Sequence, residues 1–187
     1  MGVAMDGMMV HVRQEGWKEL KVGAVFEIEV RLGKDTHTRE PVQMAHAVRN
    51  SYVAHLGGPD IFGELVFAEA RRRGWEQAQD TQVVADGAAW IWNQADLHFG
   101  RSRQLVDWYH AAQHLGNAAR VFKGEGTPAF QLWFNSRETA LYQGHAARIA
   151  CELEQAAPAL PTAAADLRRE AGYFHEHQQR MNYLEMR

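Results

Sequence analysis

The chain has 187 residues, enough for one domain or one and a half and enough to bury a core without disulfides. A hydrophobic content of 46% excludes a disordered polymer, and a net charge of −3 excludes a uniformly basic nucleic-acid coat, though not a local basic face. The single cysteine, Cys151, cannot close an internal disulfide, so a reducing cytoplasm is the expected compartment. No run of about 18 apolar residues is present, and Asp6 interrupts what would be the apolar part of a signal peptide, so no membrane partner is expected.

Residues 3–12 read as a strand with apolar character on both faces, which suits a central position in a sheet. Gln14-Glu15-Gly16 reads as a turn. Residues 17–31 alternate: Val22, Ala24, Phe26, Ile28 and Val30 are expected on one face, with Lys21, Gly23, Glu27, Glu29 and Arg31 between them. These two strands predict a hairpin. Residues 33–41 read as a loop and 49–56 as a third strand. Gly57-Gly58-Pro59-Asp60 opens a helix whose apolar stripe is Ile61, Phe62, Leu65, Val66 and Ala68, and Arg71-Arg72-Arg73-Gly74 closes it. Strands over 82–85 and 103–106 alternate with helices over 88–97 and from Trp108 onward. A hairpin followed by crossover units implies a mixed α/β sheet. After a linker at Lys123–Pro128 no strand pattern recurs. One helix is expected over 137–157 behind Ser136, and another over 163–186 with the stripe Leu167, Ala171, Phe174, Met181 and Leu184.

Three aspartates stand where chemistry could assemble. Asp6 interrupts an apolar strand, which is costly unless the charge is paired or bound to a cation. Asp86 and Asp107 end strands, the positions at which sites of open α/β sheets gather. Two carboxylates on neighbouring strands could hold a hard divalent cation, and two such ions can support phosphoryl transfer. The plainer alternatives stay open: Asp6-Gly7 and Asp86-Gly87 are common turn pairs, and Asp107 suits an N-cap.

The ordered segments Met5-Asp6-Gly7-Met8-Met9-Val10-His11-Val12, Gly16-Trp17-Lys18-Glu19-Leu20-Lys21-Val22-Gly23, Asp86-Gly87-Ala88-Ala89-Trp90-Ile91-Trp92-Asn93 and Asp107-Trp108-Tyr109-His110-Ala111 together resemble a bacterial insertion-sequence transposase of the DDE type. The tail from Glu170-Ala171-Gly172-Tyr173-Phe174 to Arg180-Met181-Asn182-Tyr183 resembles the same family. The resemblance implies an RNase H-like catalytic core over 1–122, with three antiparallel strands and then parallel crossovers, and an all-α insertion over 123–187. It implies Asp6 and Asp86 as the first two catalytic acids and ligands of Mg²⁺ or Mn²⁺, with Asp107 and His110 supporting them. It also implies DNA as substrate and partner, homo-oligomers in the intact parent, and a cytoplasmic, nucleoid-associated location. The family's third acid, a Glu in a Gly-Ser-Gly-like segment, is not reached before Arg187. The expectation is therefore a fragment, or the product of a decayed gene, that is inactive alone and at most a weak DNA- or partner-binding remnant. Glu170 is the candidate substitute for the missing acid, ahead of Glu176 and Glu185.

Weaker features have plainer readings. His110 and His114 have zinc-like spacing, but Ala111 stands where a metalloprotease would carry its general-base Glu, so a hydrogen-bonded or surface role is expected for His114. His175-Glu176-His177 is expected to be a solvated face. Trp90 and Trp92 could stack on bases but suit a core better, and Arg71–Arg73 suit a helix C-terminus before a phosphate contact.

Overall fold

Strand β1 (Gly2–Val12) is central in the sheet, as expected, but it is buried only near its start, at Gly2, Val3 and Met5, while Met8 and Met9 are exposed. It pairs antiparallel with β2 (Gly16–Lys34), from Gly2↔Phe26 to Val12↔Gly16, and parallel with β4 (Gln82–Ala85), from Gly2↔Gln82 to Met5↔Ala85. β2 pairs antiparallel with β3 (Pro41–Leu56), and with β5 (Arg103–Val106) the strands form one mixed sheet in the order β3-β2-β1-β4-β5. The computed structural model describes residues 1–34 and 40–186, and it is an α/β protein with six α-helices among those residues.

The chain divides into two compact units, Met1–Gln104 and Leu105–Met186. In the first, helix α1 (Pro59–Arg72) starts where Pro59 fits the first helical position, with Asp60 in its first turn, and it ends at Gly74, whose φ of 87° is left-handed. Phe62 and Val66 are fully buried and sit on Gly23 of β2, where an added Cβ would come within 2.8 Å of Val66 and 3.2 Å of Phe62. Helix α2 (Ala89–Phe99) buries Ile91, Trp92 and Phe99. Fully burying one such side chain contributes roughly 1.5–3 kcal/mol. Arg73 reaches back from the end of α1 to the Val25 carbonyl oxygen at 2.8 Å, Arg71 pairs with Glu76 and Arg72 with Glu69, so the arginine run is spent on closing the helix.

The second unit holds α3 (Trp108–Lys123), α4 (Pro128–Tyr142), α5 (Ala146–Ala156) and α6 (Ala164–His177). Its core is aliphatic and aromatic: Leu115, Leu141, Ile149, Leu153, Leu167 and Phe174 are all buried. Carboxylate Glu152 ties α4 to α5, accepting from Trp133 Nε1 at 2.8 Å and from Arg137 Nε at 2.5 Å.

Several expectations need correction. The expected loop at 33–41 is shorter, since Gly33 and Lys34 continue β2 and Pro41 opens β3, while residues 35–39 lie outside the described residues. β3 begins eight residues before the expected strand at 49–56, because its first half pairs only with the extension of β2 and carries no burial signal. On β2, Lys21 and Gly23 are buried rather than solvent-facing, since the strand is covered on the face where α1 packs. On α1, Ile61, Leu65 and Ala68 are exposed although Phe62 and Val66 are buried. The helix expected over 137–157 is two helices. Thr127 rather than Ser136 caps the first, its hydroxyl accepting from Phe130 N at 3.0 Å, and Gly144, at φ 81°, divides it from the second. The last helix stops at His177, with Met181 buried beyond it and Leu184 exposed.

Candidate functional site

The parallel register of β1 and β4 ends at Met5↔Ala85, and the next residue on each strand is an aspartate. Asp6, still within β1, and Asp86, just past the end of β4, thus each directly follow the last paired residues. Met5 and Ala85 are buried, and alternation turns Asp6 to the other face, where it is exposed. Asp6 lies within the strand, opposite Val22, so Asp6-Gly7 is not a turn; its Oδ1 accepts from Gly7 N at 2.7 Å. Asp86-Gly87 forms the turn that was the plainer alternative: Asp86 Oδ1 accepts from Ala88 N at 2.8 Å, and Gly87 adopts φ 116° to lead into α2.

A neighbouring feature escaped sequence reasoning. Lys21, opposite Gly7, is only 4% exposed; its Nζ lies 2.6 Å from Glu19 Oε2 and 5.1 Å from the centroid of the Trp90 ring. Trp90 also meets Phe62 edge-on, and Trp92 is buried, so both tryptophans serve packing. A Cβ at Gly7 would come within 2.5 Å of Glu19 Oε1, so glycine leaves the space this carboxylate uses. The sequence signal was present: a lysine and a glycine alternate on the face that Val25 continues inward.

In the second unit, Asp107 caps α3, accepting from Tyr109 N at 3.2 and 3.3 Å. His110, one turn into α3, has its Nδ1 at 3.9 Å from Asp107 Oδ2, a distance at which charge attracts but no hydrogen bond forms. His114 is hydrogen-bonded, as expected: its Nδ1 is 2.7 Å from Glu170 Oε2, and its ring stacks on Tyr173 at 3.5 Å. Glu170 is 1% exposed, and its other oxygen accepts from Arg169 Nη2 at 3.0 Å. Burial works to raise the Glu170 carboxyl, but the hydrogen bonds from His114 and Arg169 overcome it and hold the group below the usual carboxylate range. The expected solvated face at 175–177 holds for His175 and Glu176 but not for His177, which is buried against Tyr173.

Among the described residues no group of three His, Cys, Asp or Glu side chains is gathered closely enough to hold a metal ion, and no helix is long and apolar enough to cross a membrane. No protein-family model matches the chain, and neither a curated protein nor a solved structure is significantly similar to it.

Proposed function

We propose that the chain is the catalytic core of a DDE-type transposase with an RNase H-like fold, a DNA-acting protein of the nucleoid whose intact parent cleaves and transfers DNA strands at transposon ends. One observation supports this reading: the parallel pairing of β1 with β4 ends at Met5↔Ala85, and Asp6 and Asp86 are the residues that directly follow that last pair. The three antiparallel strands followed by a parallel return to β1 support it as the scaffold such a site would use.

Hard divalent cations take oxygen ligands, and two carboxylates at one strand end suit one such ion. Asp6 and Asp86 are the residues that would hold Mg²⁺ or Mn²⁺, which when bound supplies an activated water or 3′-hydroxyl and stabilisation of the leaving oxygen. The chain's own part is to concentrate negative charge at the strand end. Gly7 N and Ala88 N each bind one oxygen of an aspartate and so fix its orientation.

A second reading, an inactive remnant that binds DNA or a partner weakly, is favoured by Glu170. Both of its oxygens are engaged inside the helical unit, and we read it as a structural carboxylate. The two readings separate in one experiment on the whole chain. Mn²⁺ is titrated calorimetrically into the chain and into Asp6→Ala and Asp86→Ala variants, with nicking of supercoiled DNA measured in parallel. The transposase reading expects one metal site lost in either variant, and no nicking by the chain alone. Binding indifferent to both substitutions overturns it.

A further inference from the structure

We propose that His110 and His114, one turn apart on α3, form a two-nitrogen site for a borderline divalent transition-metal ion such as Zn²⁺. Residues four apart on a helix share a face, with Cβ atoms about 5–6 Å apart, and two imidazoles at that spacing can grip one ion. The sequence offers only the spacing. The structure adds how each ring is held.

His114 is fixed from α6. Its Nδ1 lies 2.7 Å from Glu170 Oε2, and Tyr173, one turn further along α6, stacks on the ring with the two planes 15° apart. Glu170 is ionised at neutral pH, and an ionised carboxylate only accepts, so the proton of the neutral His114 ring sits on Nδ1. The lone pair is therefore on Nε2. Among the described residues nothing hydrogen-bonds to that nitrogen, and with the side chain 32% exposed it is open to solvent. His110 repeats the pattern more loosely. Its Nδ1 is buried without a hydrogen-bond partner, 3.9 Å from Asp107 Oδ2. A carboxylate at that distance attracts a ring N–H and repels a lone pair, so Nδ1 keeps the proton here too and Nε2 keeps the lone pair. This Nε2 also has no partner among the described residues, on a side chain 44% exposed.

A metal-ligating histidine characteristically donates its other ring N–H to a carboxylate, which sets the tautomer and raises the basicity of the ligating nitrogen. Glu170 does this for His114, and Asp107 stands in the same relation to His110. Imidazole nitrogen suits Zn²⁺, Cu²⁺ and Ni²⁺, whereas Mg²⁺ and Mn²⁺ prefer oxygen, so this site and the one proposed at Asp6 and Asp86 call for different ions. Two protein nitrogens are fewer than the three or four of catalytic and structural zinc sites. Water fills the rest of the coordination shell, and the affinity is micromolar rather than nanomolar. Ala111 leaves the pair without the general-base Glu of a metallopeptidase, so ion binding is its role. A purely structural bond to Glu170 requires no second imidazole on the same face held in the same tautomer.

Zn²⁺ is titrated calorimetrically into the whole chain, with excess Mg²⁺ present to fill oxygen sites. One ion per chain is expected to bind with a Kd in the micromolar range. His110→Ala and His114→Ala should each weaken it at least about tenfold, with the far-ultraviolet spectrum retained. Glu170→Gln, which keeps the shape of the side chain but not its charge, should weaken it about tenfold through His114. His175→Ala, at an exposed histidine of α6, should leave it unchanged. Cu²⁺ bound to the unaltered chain should show two imidazole nitrogens in its electron paramagnetic resonance spectrum, a readout that needs no variant. No saturable Zn²⁺ binding below about 1 mM, an affinity indifferent to both α3 histidine substitutions, or Cu²⁺ held by fewer than two imidazoles overturns the proposal. Mn²⁺ binding at Asp6 and Asp86 enters none of these outcomes, so the two metal readings fail separately.

Discussion

Asp6 in the sheet unit and Glu170 in the helical unit are both acids set among apolar neighbours, and the two units treat them in opposite ways. Asp6 ends up exposed, on the strand face turned from Met5, with a backbone amide holding one oxygen. Glu170 is sealed in a helical core and satisfied by His114 and Arg169. A carboxylate within an apolar stretch thus has two physical solutions, water on an exposed strand face or partners within a core. Only the first leaves the charge accessible to a ligand.

The largest expected effect tests the core side of this contrast. Glu170→Ala removes the hydrogen bonds from His114 and Arg169 and leaves a void, and should lower the stability of the chain by about 3 kcal/mol in denaturant unfolding. The same substitution should leave Mn²⁺ binding within about twofold, whereas Asp6→Ala should weaken it at least tenfold, with His110→Ala far milder. Equal metal losses from Asp6→Ala and Glu170→Ala would erase the distinction between the two acids.

Acid sharpens it further. Glu69 on α1 is held down to about 2 from the ordinary 4.5, chiefly by its hydrogen bond from Arg72 and then by one from Ser51 of β3. A depressed carboxyl contributes stability that is complete above about pH 4.5 and is lost as pH falls toward 2. Glu170 is lowered in the same sense, so both units should weaken on acidification. Glu69→Gln should cost about 1 kcal/mol at pH 7 and flatten the pH profile of unfolding below pH 4.5. The smallest effect concerns caps: Thr127→Ala and Asp107→Ala should each cost about 1 kcal/mol or less, measured by thermal unfolding.

Legibility in the sequence followed the same division. Strands 82–85 and 103–106 and the starts of α1 and α3 were readable, because Pro59, Asp107 and short apolar runs are local signals. The parallel pairing of β1 with β4 is not written in any one segment, since strand order depends on the whole chain. The Lys21–Glu19–Trp90 cluster was missed because alternation alone assigns a lysine to solvent. The split of the 137–157 helix was missed because Ser136 and Glu138 imitate a cap, while the decisive residue is Gly144. His177 looked solvated beside His175 and Glu176, though its helical position, three after Phe174, puts it on the buried stripe.

Gly144 has a consequence for the shape of the helical tail. Continued without a break from Pro128 to Ala156, α4 and α5 would make one rod about 43 Å long, with no way for Leu141 and Ile149 to serve the same core. A single left-handed residue folds that rod back on itself, and a side chain there would crowd Asn182 Oδ1 at 3.1 Å. The choice between a spoke and a bundle rests on one absent methyl group.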